Sequence, residues 1–166
     1  MGQEVLTLAE VWPDEVRAVI VGINPSQTSV DAGHYFQGQG ARGQVMRLAR
    51  AGLLTPQHGE RVYERAALEA GVGFADLVRR PTPGEKSISA AERSHGRALI
   101  EANLAARNVP LIIGIYAPPV TALMGGKARV GFQEKRTSWG ARIFRMPSPY
   151  DKPDLVAETM ASLTFD

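Results

Sequence analysis

A chain of 166 residues, 44% hydrophobic and 22% charged, has the size and composition of one globular domain spanning residues 1–166. It has no cysteine, three scattered histidines and no apolar run near the ~20 residues of a membrane span, which excludes disulfides, thiolate metal centres and a spanning helix. Net charge is +2, but residues 1–76 carry 6 Lys/Arg against 9 Asp/Glu while residues 77–152 carry 13 against 5, a balance that suits either a polyanionic partner or a solvated basic face. The N-terminus, Met1-Gly2-Gln3-Glu4, lacks the basic start and apolar core of a secretory leader, so the expectation is a cytoplasmic protein without a membrane partner.

Val16 to Gly22 is a β-rich run without alternation and reads as a buried parallel strand. A Gly- and Gln-rich loop follows from Ile23 to Gly43. Val45, Leu48, Ala49 and Leu53 recur at helical spacing, and a second helix is predicted from Glu60 to Ala70, stopped by Gly71. Gly73 to Val78 is a short buried strand entering the Arg-Arg-Pro-Thr-Pro-Gly turn. Ser89 and Glu92 form a capping-box pattern opening a helix that carries Ala91, Ala98, Leu99, Ala102 and Ala105 and ends before Pro110. Pro110 to Gly114 is a strand, Pro118-Pro119 starts a short helix, and Arg142 to Met146 is a last strand. Asp151 is expected to cap a final helix with Leu155, Thr159 and Leu163 on one face.

This alternation predicts a three-layer α/β/α sandwich around a central, mainly parallel four-stranded sheet. Ligands in such folds sit outside the carboxyl ends of strands, which selects the loops after Gly22, Val78, Gly114 and Met146. The first of these carries Gly22-Ile-Asn-Pro25, in which Gly22 allows close backbone approach and Pro25 stiffens the turn presenting Asn24. It lacks the glycine and lysine spacing of a P-loop or a dinucleotide fingerprint.

Four segments in order resemble the mismatch-specific uracil-DNA glycosylase and thymine-DNA glycosylase family of the uracil-DNA glycosylase superfamily. They are Gly22-Ile-Asn-Pro25, Gly33-His-Tyr-Phe36, Leu77 to Gly84 with Lys86 and Ser89, and Met146-Pro-Ser148. The resemblance implies a monofunctional, monomeric glycosylase that flips uracil out of mismatched or single-stranded DNA and hydrolyses its bond to the sugar, with no cofactor and no metal. Thymine and damaged pyrimidines are secondary substrates on this reading. By the same resemblance, Asn24 holds the attacking water, Phe36 stacks on the base, and Gly22, Ile23, Pro25, His34 and Tyr35 surround it. Ser29 falls near carbon 5 of the base. Arg80, Lys86, Ser148, Pro149, Tyr150, Asp151 and Lys152 face the DNA.

Three departures from the family pattern leave alternatives open. Arg42 is followed by Gly43-Gln44 instead of an aromatic pair, a change expected to alter packing beneath the loop. The wedge segment reads Ser148-Pro-Tyr-Asp-Lys152, with Tyr150 as a stacking side chain and Asp151 either near phosphate or capping the last helix. Asp76 stands where relatives often carry Lys or Asn; it either activates the water or stabilises the oxocarbenium charge, or else it is paired with Arg79 or Arg80 or caps a turn. His34 either borders the pocket or holds loop backbone, Arg80 either binds phosphate or fastens its loop, and Trp139 is read as packing. The competing reading of the whole is a DNA-binding, damage-recognition protein that kept the fold and lost much of its catalysis. A more distant rival is a small α/β phosphate-ester or nucleotide enzyme.

Overall fold

The computed structural model describes residues 2–166. Its sheet is built around β1 (Ala18–Gly22), whose five residues are all buried. β1 lies between β2 (Val72–Asp76) and β3 (Leu111–Gly114), and pairs in parallel with both. β5 (Arg142–Arg145) extends the parallel set beyond β3, and the two-residue β4 (Gly131–Phe132) closes that edge in antiparallel register. The order is β2-β1-β3-β5-β4, so the sheet has five strands, one more than expected. β4 is too short to show a pattern, and it lies within a basic stretch where Phe132 is the main apolar signal.

Alternating residues of β1 feed two cores, as strand geometry requires. Ala18 and Ile20 face Val30, Val45, Leu48, Ala66 and Phe74 on one side. Val19 and Val21 face Ile100, Leu104, Val120 and Leu123 on the other. The first layer is made by α1 (Gln27–Ala32), α2 (Gln39–Arg50), α3 (Glu64–Ala70) and residues near α6 (Pro153–Ala161), the second by α4 (Ala90–Ala106) and α5 (Ala117–Met124). Fully buried side chains of the size of Phe74, Ile20 or Leu104 each contribute roughly 1.5–3 kcal/mol by leaving water. The exposed edge of β2 is covered by the N-terminal segment, where Val11 exchanges backbone hydrogen bonds with Phe74.

Several local expectations need correction. The Gly- and Gln-rich loop contains α1, capped by Ser26 and ended by Gly33 in the left-handed conformation. α3 starts at Glu64, because Glu60 accepts a hydrogen bond from the Gln57 amide in the preceding loop. The capping box of Ser89 and Glu92 is present, but α4 turns Gly96, Ile100 and Leu104 inward, and Leu99 is 58% exposed. Gly96 sets that phase: a Cβ there would collide with the Leu77 carbonyl, and the alanine stripe carries too little apolar area to compete. Finally, Lys152 is the N-cap of α6, since Pro153 fixes the first helical position. Asp151 is left free for a different role.

Candidate active site

The loops after β1, β2 and β3 meet at the carboxyl edge of the sheet. Beyond the ladder the β1 and β2 exits remain zipped, with the Leu77 amide donating to Gly22 O (2.9 Å) and the Val78 amide to Ile23 O (2.8 Å). This extension sets Asp76 directly beside Gly22, its register partner. A Cβ at position 22 would collide with Asp76 Oδ1, so glycine is what lets the carboxylate keep this position.

Asn24 then bridges two loops. Its Nδ2 donates to Arg80 O (2.9 Å) and to Thr82 Oγ1 (2.8 Å), and Thr82 Oγ1 donates onward to Gly84 O (2.8 Å). With both amide protons committed, Oδ1 is the polar atom that Asn24 can offer to a ligand. Pro25 is buried behind it.

The aromatic segment is fixed from below. The Ser29 hydroxyl accepts from the Gln37 amide (3.0 Å), and the Tyr35 amide donates to Glu64 Oε1 (2.8 Å). His34 Nδ1 lies 3.5 Å from the same carboxylate oxygen, and His34 is not among the residues lining the smaller pocket. Between these anchors Phe36 adopts φ 58°, a left-handed conformation costing on the order of 1–3 kcal/mol for a non-glycine residue. Its ring meets Phe74 edge-on at 4.9 Å and Tyr35 at 5.5 Å. The Tyr35 hydroxyl is buried without a hydrogen-bond partner, and burial drives its pKa far upward.

These residues enclose a pocket of about 260 Å³ lined chiefly by Ile23, Asn24, Ser29, Tyr35, Phe36 and Asp76. Pockets for drug-sized ligands span roughly 300–1,000 Å³, so this smaller space suits a single ring. A larger cavity, about 440 Å³, meets Asp76 from the other side, beneath the N-terminal segment, and holds His95 with Arg79 and Glu92. The strand ends converge on the smaller space.

Asp76 is 5% exposed, and desolvation pushes its pKa up to about 7, with Arg79 acting to lower it and Glu10 to raise it. Neither arginine named in the structural alternative is paired with it. Arg79 lies 3.6 Å from Glu10 and donates to Leu8 O (2.6 Å). Arg80 binds Glu92 at 2.6 Å and donates to Ser87 O (2.9 Å), which fastens its loop to α4. Lys86 is exposed in the short 3-10 turn Glu85–Ser87.

The segment after β5 is a closed turn. The Ser148 amide donates to Asp151 Oδ2 (2.7 Å), the Asp151 amide to Ser148 O (3.2 Å), and the Tyr150 amide to Ser148 Oγ (3.2 Å). Asp151 therefore locks the turn and does not cap the helix. Pro149 and Lys152 are exposed, and Tyr150, at 96% exposure, projects fully into solvent. Trp139 donates to Val109 O (3.0 Å) and packs on the second core, as expected of a packing residue.

Sequence reasoning missed Thr82, Tyr116, which lines the smaller pocket just after β3, and the structural weight of Gln44. Thr82 lies in a Pro-Thr-Pro turn that reads as generic. Gln44 had a signal, a polar residue beside Val45 on the inward face of α2.

Among the described residues, Asp76 is the one charged side chain lining the smaller pocket, and no three His, Cys, Asp or Glu side chains converge as a metal-ligand set. The lining is otherwise chiefly apolar, with the Asn24 amide and the Ser29 hydroxyl among its neutral polar groups. The sequence model of the Uracil DNA glycosylase superfamily matches residues 9–152, and the chain belongs to that superfamily. Membership makes the general class of activity that of a DNA glycosylase, a hydrolase acting on DNA in repair.

Proposed function

We propose that the chain is a uracil-DNA glycosylase of the mismatch-specific and thymine-DNA glycosylase type. It acts as a monofunctional monomer on mismatched or single-stranded DNA, with thymine or damaged pyrimidines as secondary substrates. The observation that carries this reading is Asn24 at the pocket lining with its donors consumed by Arg80 and Thr82, which leaves Oδ1 as the acceptor it can offer.

A water donating to Asn24 Oδ1 is aimed at C1′ of the extruded nucleotide. As the C1′–N1 bond breaks, its electron pair leaves with the base, and positive charge develops on the sugar. The water oxygen bonds C1′, and its proton passes to the ionised Asp76 carboxylate and then to solvent. Uracil departs as a delocalised anion, held by backbone amides near Ile23 and Phe36 and later protonated from solvent. Phe36 offers its ring to the base, and Ser29 borders the pocket where a methyl on carbon 5 would press. Tyr150 fills the gap left in the stack, while Ser148, Pro149 and Lys152 meet the flanking backbone with Arg80 and Lys86 beside it.

Base release from G·U, A·U, single-stranded U and G·T oligonucleotides in EDTA tests the reading, wild type beside Asn24→Ala. Abasic product from wild type and a deep loss in the variant are expected. DNA binding without product from any substrate would overturn the assignment in favour of a recognition protein.

A further inference from the structure

Gln44 is a polar side chain buried to 1% exposure in the inward face of α2. Its Nε2 donates to Ile115 O (2.9 Å) and to Pro147 O (2.9 Å), so one amide ties together the exits of β3 and β5. Its Oε1 accepts from Arg47 Nη1 (2.9 Å), and the same nitrogen donates to Ser148 O (3.2 Å). Two of the three carbonyls served, Pro147 O and Ser148 O, lie where the chain enters the Ser148–Asp151 turn. That turn is closed on itself by three further hydrogen bonds and carries an aromatic ring with no packing partner. An aromatic side chain held out at 96% exposure gains nothing for the fold, while a rigid mount spares the ordering cost when it meets a partner.

We propose that Gln44, assisted by Arg47, is a positioning residue that braces the Ser148–Lys152 turn, so that Tyr150 enters the duplex as a pre-set wedge. The proposal rests on the glycosylase reading above. The brace acts through the turn and touches no reacting atom. Its loss lowers processing of paired substrate, where a wedge must enter, more than processing of single-stranded substrate, where no stack has to be refilled.

The test is a double-mutant cycle of Gln44→Leu and Tyr150→Ala, repeated with Arg47→Met, whose half-buried site keeps the test open if Gln44→Leu does not fold. Single-turnover rates are measured on G·U duplex and on single-stranded U. The duplex-to-single-strand ratio is expected to fall about tenfold in either brace variant, the consequence of losing one or two buried hydrogen bonds. It should fall no further when Tyr150→Ala is added, because both changes disable one device. Additive losses, or equal losses on both substrates, would overturn the brace and leave Gln44 a packing residue. A parallel readout needs no catalysis: 2-aminopurine placed opposite a tetrahydrofuran abasic analogue reports insertion of the ring. If wild type releases no base from any substrate, the glycosylase reading fails, and loss of that fluorescence change in Gln44→Leu still decides the brace.

Discussion

Asp76→Asn should make the protein more stable and less active, with both effects governed by one titration. The carboxyl is buried beside Gly22 without an arginine partner, and its pKa rises from 3.8 to about 7, desolvation being the largest cause. The folded state therefore holds the proton more tightly than the unfolded chain does. The stability this supplies is complete below the unfolded pKa and is lost as pH rises through the folded one. The rise from 3.8 to about 7 corresponds to about 4 kcal/mol lost by pH 8, more than half of it between pH 5 and pH 8. Asparagine carries no charge at any of these pH values and escapes that loss. Urea unfolding of both proteins at pH 5, 6, 7 and 8 measures it, the gap between them opening in favour of the variant as pH rises. Activity follows the opposite course: if the ionised carboxylate takes the proton from water, wild-type turnover at pH 6 is about a tenth of its plateau above pH 8. The Asp76→Asn variant should show a flat, low profile. Stability curves that stay parallel from pH 5 to pH 8 would refute the buried, unpaired carboxyl. A wild-type profile without the acidic limb would refute its role as base.

Three other outcomes follow from the same geometry. Asn24→Ala should lower single-turnover rates on the order of a hundredfold by releasing the water. It should also speed amide exchange across residues 80–84, because the Arg80 and Thr82 contacts go with it. Gly22→Ala should displace the Asp76 carboxylate and cost a comparable factor in rate, with a crystal structure or the shifted pH limb as the check. Ser89→Ala should cost about 1 kcal/mol in urea unfolding through loss of the capping box, with base release unchanged when the folded fraction is matched.

The parts legible in the sequence were those that one local rule decides. The strands β1, β2 and β3 announced themselves as short, largely apolar runs, β5 as an Ile-Phe pair between Arg142 and Arg145, Gly71 marked the end of α3, and the Ser89–Glu92 pair marked the start of α4. What stayed hidden was decided by contacts distant in the chain. The inward face of α4 is chosen by Gly96 against the Leu77 carbonyl, and the helical phase of the alanines says nothing about that contact. Asp151 resembles a helix cap by position, yet Pro153 starts the helix one residue too late for it and the Ser148 amide takes its carboxylate. The candidate site was legible in membership, since Gly22, Asn24, Phe36 and Asp76 all border one pocket. Its wiring was not, because the partners of Asn24 lie 56 and 58 residues away and those of Gln44 lie 71 and 103 away.

Three stabilising rules are broken side by side at the wall of the smaller pocket. Phe36 keeps a left-handed backbone, the Tyr35 hydroxyl is buried without a partner, and Asp76 carries a carboxyl into an apolar strand end. Each costs the fold free energy at the pocket wall: backbone strain at Phe36, an unmade hydrogen bond at Tyr35 and a desolvated carboxyl at Asp76. The sheet can carry the cost because β1 and its neighbours are buried on both faces and the loops above them are tied by Asn24, Ser29, Glu64 and Gln44. Those four ties come from different elements and none is a strand hydrogen bond. They hold the strained groups in place before substrate arrives, which is the condition under which an electrostatic site lowers a barrier without reorganising during the reaction.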